Sequence, residues 1–445
     1  MALKALDIYK LLPKKNCKEC GDPTCLTFAM KLAGGKADVD LCPYLSDEAK
    51  SVLGATTRPP IRLVKIGVGE RSFKVGEEFV LYRHEKTFYH PPGIVFRVSD
   101  TQSVEEIAAV TRRVRDEIFT RVGSDLRFSG MAIENTSGDP ATFARAVAAV
   151  ENEQAHLPPV LISKNIAALT AAMVHCGSYH PLLHAATKEN FKEMCALAKQ
   201  HGCPLVIQSD TLEGLAGLAK DCTAEGVPDL VMDTAPATLG DFVVRSTSIR
   251  QLAITRAAPE LGYPVYLDAT KTGQQEAAVA LGIVKYASVI VTDPLRPGPA
   301  KAALTLRQNI YTDPQKPIQM NPGIYRVGTP DKDSPVLMTV NFSLTFFTLQ
   351  GYLESTRVPC YMLIVDTEGL SVLTAVAAGK LNETLVRDSL KKFGMENEVS
   401  HKKLIIPGYA SPLSGRIEDA TGWKVLVGPR DAAEIGEFLH EEWKK

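Results

Sequence analysis

Residues 158–187, PPVLISKNIAALTAAMVHCGSYHPLLHAAT, decide the fold. A short apolar strand opened by Pro158 runs into a helical stretch, Asn165–His175. A second apolar strand then starts at Pro181. Apolar strand, helix, apolar strand is the repeating unit of a parallel sheet, whose strands are buried on both faces. The same unit recurs on either side. Strands GIVFRVS, GMAIEN, PLVIQSD, DLVMDTA, PVYLDAT and SVIVTD start at Gly93, Gly130, Pro204, Asp229, Pro264 and Ser288. Helical stretches such as SVEEIAAVTRRVRDEI, PATFARAVAAVENEQ, KENFKEMCALAKQHG and GQQEAAVALGIVKY separate them, and the last, KAALTLRQNI, ends near Ile310. Eight uninterrupted units without a long crossover predict a closed (β/α)8 TIM barrel in preference to an open doubly wound sheet.

Two further units flank the barrel, as a chain of 445 residues leaves room for about three domains. Ahead of it, IRLVKIGVG, RSFKVG and EEFVLYRH predict two or three antiparallel strands joined by glycine turns. Gly67 and Gly69 there read as a hairpin turn, because the third glycine and the following helix of a nucleotide loop are missing. Behind the barrel, VLMTVN, CYMLIVD, KLIIPG and WKVLVG alternate with helical stretches. They predict a small, four-stranded, Rossmann-like parallel α/β sheet, with ligands expected beyond the carboxyl ends of its strands. The domain division is 1–57, 58–92 (a linker with a hairpin), 93–325 (the barrel) and 326–445.

Composition sets limits. The 50 basic and 51 acidic residues nearly cancel, which argues against a general nucleic-acid binder. No run nears the roughly 20 apolar residues that would cross a membrane, and the start lacks a secretory pattern. A cytoplasmic location is the expectation.

Nine cysteines occur, and four of them, Cys17, Cys20, Cys25 and Cys42, crowd the first 57 residues. Such a short segment buries little apolar surface, so a metal centre would supply missing stability. Four thiolates suit tetrahedral zinc or a 4Fe–4S cluster. The single CxxC, the four-residue step to Cys25 and the remote Cys42-Pro43 favour iron–sulfur. Lys14, Lys15 and Lys18 beside them are as well explained by a solvated face. Cys176, Cys195, Cys203, Cys222 and Cys360 carry no such spacing and read as buried structural thiols. His175, His180 and His184 lack metal-ligand spacing. Glu134, Asp210, Asp233, Asp268 and Asp293 follow barrel strands, where barrel enzymes keep their chemistry, but acidic residues there also cap helices. No matched acid–base pair is visible.

The runs KKNCKECGDPTCLTFAMKLAGGKA (14–37), LCPYLSDEAK (41–50), NFSLTFF (341–347), VDTEGLSVLTA (365–375) and WKVLVGPRDAAEI (423–435) change the picture. Over essentially its whole length the chain resembles the large (gamma) subunit of the corrinoid iron–sulfur protein of the carbon monoxide dehydrogenase/acetyl-CoA synthase system. The resemblance implies a 4Fe–4S domain, a central barrel and a C-terminal corrinoid-binding domain. It also implies a methyl carrier of the reductive acetyl-CoA (Wood–Ljungdahl) pathway, with chemistry at the corrinoid cobalt and no catalytic side chain. The family forms a heterodimer with a small, barrel-containing subunit. A methyltetrahydrofolate:corrinoid methyltransferase loads the methyl group, and acetyl-CoA synthase/carbon monoxide dehydrogenase receives it. The cluster, fed by a ferredoxin-type reductant, returns Co(II) to Co(I).

The corrinoid contacts that follow from the resemblance lie at strand ends and helix starts. They are Thr339, Val340, Asn341, Phe342, Thr345 and Phe346, then Gly369, Leu370, Ser371, Val372, Leu373 and Thr374. Pro407, Gly408, Gly428, Pro429, Arg430 and Ala433 complete the set. His401 and His440 stand outside any D-x-H-x-x-G motif, so the expected cofactor is a base-off corrinoid without a protein histidine on cobalt. Partner exchange at cobalt implies mobile domains, with Pro59-Pro60 and Asn321–Pro330 as hinges. Two other classes fit the residues less fully: a pterin-binding methyltransferase with a catalytic barrel, and an iron–sulfur electron-transfer module.

Overall fold

The computed structural model describes residues 5–33, 37, 39–46, 49, 53, 59–82, 85–122, 124–153, 157–256, 258–313 and 317–443. The stretch SDEAKSVLG (46–54), whose pattern with Ser46 as N-cap predicts a short helix, lies largely outside them.

The N-terminal unit contains helices Ala5–Leu11 and Cys25–Ala33. They share a small core of Ile8, Leu12, Phe28, Leu32, Val39 and Leu45. Next comes the hairpin β1 (Val64–Val68) and β2 (Arg71–Val75), paired antiparallel across a tight turn at Gly69. Two of the two or three expected strands form; among its described residues EEFVLYRH contributes no strand. Only an isolated bridge, Ile61 to Glu78, continues the pairing.

The barrel is as the strand–helix repeat predicts. After β3 (Gly93–Ser99), a short hairpin, β4 (Phe119–Arg121) and β5 (Ser124–Leu126), interrupts the repeat. The remaining barrel strands are β6 (Gly130–Glu134), β7 (Pro159–Ile162), β8 (Leu182–Ala186), β9 (Leu205–Gln208), β10 (Leu230–Asp233), β11 (Val265–Asp268) and β12 (Ala287–Thr292). These eight strands are parallel and closed, with β12 returning to β3. Side-chain alternation splits the strand residues. Val95, Ala132, Val160, Val206, Val231 and Val289 fill the inside, while Ile94, Phe96, Met131, Leu161 and Ile290 pack against the helices.

The β1–β2 hairpin closes the amino end of the barrel. Val64, Ile66 and Val75 join the inner core, and the Gly67 N–H donates to the carbonyl of His180, just ahead of β8. Gly67 is needed here: its φ is +90°, and a Cβ would strike Pro158 and the Arg71 carbonyl.

The C-terminal sheet departs from expectation. Its strands are β13 (Gly323–Val327), β14 (Val336–Val340), β15 (Cys360–Val365), β16 (Lys403–Ile406) and β17 (Lys424–Val427), in the order β13-β15-β14-β16-β17. Four are parallel as predicted. The fifth, β13, pairs antiparallel with β15 through Gly323 to Val327. The stretch read as a Pro/Gly-rich hinge is therefore a paired edge strand in its middle. Met320 N–H and Ser343 N–H extend the tie by bonding the carbonyls of Asn341 and Ile318. Its GIYRV core was too short and too near prolines to register as a strand. Helices cover both faces of the sheet. Val336, Met338 and Val340 face one core with Val386 and Ile417, and Leu337, Met362 and Ile405 face the other with Leu353 and Leu439.

Candidate functional site

At the carboxyl edge of the C-terminal sheet lies a cavity of about 520 Å³. The chain leaves β14, β15, β16 and β17 there, as the general rule for such sheets requires. Of the contacts predicted from sequence, Thr339, Thr345, Ser371, Val372, Leu373, Pro407, Gly428, Pro429 and Arg430 line it. Leu337, Met338, Ile405 and Ile406 form an apolar wall that sequence reasoning missed, as did Thr348, Leu349 and Ile435. The missed strand residues lie further inside the sheet than its loops, and their apolar runs carried only a core signal. Arg430 and Tyr409 stand exposed at the rim, the guanidinium 5.6 Å from the ring centroid.

The other predicted contacts are placed behind the lining. Asn341 is fully buried, and its Oδ1 accepts from Thr367 N–H, the Thr367 hydroxyl and Gly369 N–H. Its Nδ2 donates to Asp366 Oδ1 at 3.0 Å. Asn341 thus shapes the 366–370 loop. Gly369 takes φ +77°, with the Gln319 side chain where a Cβ would stand. Gly408 lets two chains meet: a Cβ would lie 2.7 Å from Arg430 N and 2.8 Å from the Gly428 carbonyl. Val340 and Phe346 belong to the two cores, and Phe342 and Leu370 pack against the first. Thr374 is exposed, its hydroxyl 3.0 Å from that of Ser371. Ala433 is exposed as well, its N–H held by Asp431.

Three helical segments that begin at this edge lack side-chain caps, whereas Asp431 caps the fourth, Ala432–Glu434. Phe342 precedes helix Ser343–Thr356, Ser371 precedes Val372–Ala377, and Pro407 precedes the 3-10 segment Gly408–Leu413, none with a side-chain cap bond. First-turn N–H groups without a cap suit the carbonyls and anionic groups of a ligand. His401 lies before β16, away from that edge. Its Nε2 meets the Ser334 carbonyl at 3.0 Å and its Nδ1 accepts from Lys403 N–H. Both ring nitrogens are engaged. His440 sits exposed on helix Ile435–Glu442.

In the N-terminal unit, Cys17 and Cys20 are half-buried, and Cys25 and Cys42 are buried. Lys14, Asn16 and Lys18 take left-handed conformations, with φ of 56°, 49° and 67°. Left-handed residues alternating in this way are a feature of the backbone nests that hold anions and metal–sulfur centres. Asn16 N–H donates to Cys25 Sγ at 3.4 Å, and Cys25 N–H returns a bond to Asn16 Oδ1. Cys25 is also the first residue of its helix. The Tyr44 hydroxyl donates to Glu19 at 2.8 Å, and Lys15 lies 4.0 Å from its ring centroid. Glu19 holds that hydroxyl above its ordinary pKa, with smaller contributions from burial and from Cys17 and Cys42. Among the described residues, no three His, Cys, Asp or Glu side chains meet at metal-binding range. The donor set itself, four thiols with no carboxylate among them and a backbone N–H already on one sulfur, fits an iron–sulfur cluster.

The other five cysteines are buried, as their lack of spacing suggests. Burial pushes the Cys203 and Cys360 thiols up to about 12. At the carboxyl end of the barrel, Arg97 bonds Glu134 at 2.7 Å and Asp293 at 2.9 Å. His184 and Asp233, which sequence left unmatched, meet at 2.9 Å across strands β8 and β10. Three-strand closure brings them together, and no linear spacing could signal it. Asp210 is exposed, and Asp268 caps the turn that follows its strand.

A barrel, a cysteine-bearing unit and an open-edged sheet with a ligand cavity define a multidomain cofactor carrier. The comparisons specify it. The profile described as "CO dehydrogenase/acetyl-CoA synthase delta subunit" matches residues 63–439, and that described as "Putative Fe-S cluster" matches residues 12–44. The "Corrinoid/iron-sulfur protein large subunit" of Moorella thermoacetica is 42% identical, over 98% of this chain and 98% of that one. The "Acetyl-CoA decarbonylase/synthase complex subunit gamma" of Methanothermobacter thermautotrophicus is 37% identical over 99% of both chains. That of Methanopyrus kandleri is 36% identical over 99% of this chain and 98% of its own. The chain belongs to the family of corrinoid/iron–sulfur protein large subunits and acetyl-CoA decarbonylase/synthase gamma subunits.

Proposed function

We propose that the chain carries methyl groups in the acetyl-CoA pathway, with a corrinoid and an iron–sulfur cluster as its cofactors. The observation that carries the reading is the cavity at the carboxyl edge of the C-terminal sheet, lined by the runs through which the chain resembles that family. A corrinoid bound there would supply a cobalt that takes up and gives back the methyl group. The chain's own residues do the holding. Leu337, Met338, Ile405 and Ile406 exclude water, the N–H groups of Leu344 and Thr345 and those after Ser371 meet carbonyls or phosphate, and Asn341 fixes the 366–370 loop.

The finer points belong to the same proposal. Residues 326–445, with the start of β13 ahead of them, hold the corrinoid, the barrel that begins at residue 93 is the scaffold, residues 1–57 carry a 4Fe–4S cluster on Cys17, Cys20, Cys25 and Cys42, and residues 58–92 link the last two. The cobalt has no histidine from this chain, since His401 spends both nitrogens inside its own sheet. A small subunit and an acetyl-CoA synthase are partners, as the names of the relatives support. A methyltetrahydrofolate:corrinoid methyltransferase and a ferredoxin-type reductant are the further partners proposed, in the cytoplasm. Among the described residues, no helix is long and apolar enough to cross a membrane.

Metal and sulfide analysis of the anaerobically purified protein tests this. Cobalt and iron should appear at about one to four, with sulfide matching iron. Cys17→Ala, Cys20→Ala, Cys25→Ala or Cys42→Ala should each remove the iron, and Cys360→Ala should not. Zinc without sulfide, or a protein free of cobalt, overturns the reading.

A further inference from the structure

The inside of the barrel changes from apolar to polar in a single step along its strands. Val95, Ala132, Val206, Val231 and Val291 belong to the inner core. Two residues on, and so on the same side, stand Arg97, Glu134, Gln208, Asp233 and Asp293. Asp268 follows Tyr266 in the same way. The result is a polar ring at the carboxyl end, where barrels keep their binding sites.

Within the ring, Arg97 is divided between Glu134 and Asp293. The Asp233 carboxylate accepts from the His184 ring at 2.9 Å, Gln208 Nε2 at 2.7 Å and Ala235 N–H at 2.8 Å. Below them lies Tyr266, fully buried, its ring 4.6 Å from that of His184. Its hydroxyl has no hydrogen-bond partner, and neither does that of buried Thr234. The groups whose charges reach the Tyr266 hydroxyl are Asp268, Asp233, Glu134 and Arg97, so it faces the middle of the ring. Buried polar groups are almost always paired, so an unpaired donor beneath a ring of acceptors calls for a guest.

The charges narrow what the guest is. Glu134, Asp233, Asp268 and Asp293 outnumber Arg97 and the exposed Lys271 beside Asp268. The ring repels phosphates and carboxylates and invites N–H donors. No three acidic or histidine groups converge on a metal position among the described residues. The adjoining rings of His184 and Tyr266, tilted 34° to one another, give the site aromatic surface that favours something flat.

We propose that the carboxyl end of the barrel is a second binding site, for a planar nitrogen heterocycle with a lactam edge. Its carbonyl accepts from the Tyr266 hydroxyl, and its adjacent N–H groups donate to the Asp233 and Asp268 carboxylates. This site is separate from the corrinoid cavity, and its failure would leave the methyl-carrier reading standing.

Pterins and purines both carry this edge, so the test has two arms. Folic acid and guanosine are titrated calorimetrically into the full-length protein with its cofactors. One or both should bind saturably below about 1 mM. Tyr266→Phe should weaken that binding about tenfold, while thermal stability without ligand stays level or rises, because the hydroxyl it removes has no partner. Asp268→Asn keeps a side chain able to cap the turn and should also weaken binding. Cobalt and iron contents should not change in either variant. Absence of saturable binding by both compounds overturns the proposal. So does unaltered affinity in Tyr266→Phe, or a fall in its ligand-free stability, which would assign the hydroxyl to packing.

Discussion

The barrel and the C-terminal sheet are built from the same strand–helix unit, yet they treat their helix starts differently. In the barrel, Ser103, Asp139, Asn165, Thr211 and Thr238 each accept from N–H groups of the helix they precede. Ser103 and Thr238 form complete capping boxes. Around the cavity of the C-terminal sheet, Phe342, Ser371 and Pro407 cap nothing. The sheet is not short of cap residues elsewhere. Asn382, which does not line the cavity, accepts from Leu385 N–H in the usual way. Ser371 even has the right side chain, but turns it to Thr374. Missing caps are concentrated at the ligand edge without being confined to it: Asn190 and Gln274 leave two barrel helices uncapped, and Asp431 caps the segment after β17. The uncapped first turns at the edge leave N–H donors that the chain's own side chains do not take.

The largest expected effect comes from closing the edge. Gly408→Val places a Cβ against backbone of Gly428, Pro429 and Arg430, none of which can swing away. Corrinoid retention should fall beyond detection, read as cobalt per chain. Gly217→Ala, in a barrel helix where nothing lies within 4 Å, is the matched control. It should leave cobalt unchanged and add up to about 1 kcal/mol of stability. Equal cobalt in both variants would break the comparison.

Next in size is Asn341→Ala. It strands the Thr367 and Gly369 donors in a buried site, at about 3 kcal/mol. Thr211→Ala, which removes a barrel cap, should cost only about 1 kcal/mol. Urea midpoints give both values. Only Asn341→Ala should also lower corrinoid occupancy, because only its loop borders the cavity. A smaller change makes the sheet imitate the barrel. Ser371→Asp supplies a stronger cap for Val372–Ala377, so the apoprotein should gain about 0.5 kcal/mol or more while corrinoid affinity drops. Affinity that rises together with stability would show that those N–H groups do not serve the ligand.

How far these differences were legible in sequence follows from their range. The eight barrel strands were readable because each is a continuous apolar run between helices, with both faces buried. β13 was not, since GIYRV is half-exposed and gains its strand identity from β15, far along the chain. The loops of the cavity were readable through family resemblance, and the cavity's apolar wall was hidden inside strands already explained as core. The His184–Asp233 pair shows the same limit: its members are distant in sequence and meet only on barrel closure. The cysteine spacing, by contrast, is local chemistry and could be read directly.

The smallest expected effect concerns acid, and it separates two aspartates on one barrel strand and its approach. Burial alone would raise the Asp233 carboxyl, but the hydrogen bond and charge of His184, with Ala235 N–H and Gln208, hold it below its ordinary value. A depressed carboxyl stabilises the fold above its unfolded value near 3.8, and that share is lost as pH falls through the lower folded value. Asp229 is shifted the other way, raised by burial. Its neutral form is the one the fold prefers, so it weakens the barrel as pH climbs from about 4 through its raised folded value. Asp233→Asn should therefore lower the urea midpoint at pH 7 and flatten its decline below pH 4. Asp229→Asn should raise the midpoint at pH 7 slightly and leave the acid decline in place. Parallel pH profiles for the two variants would mean that His184 does not govern the Asp233 charge, and the polar end of the barrel would then be no more organised than its surface.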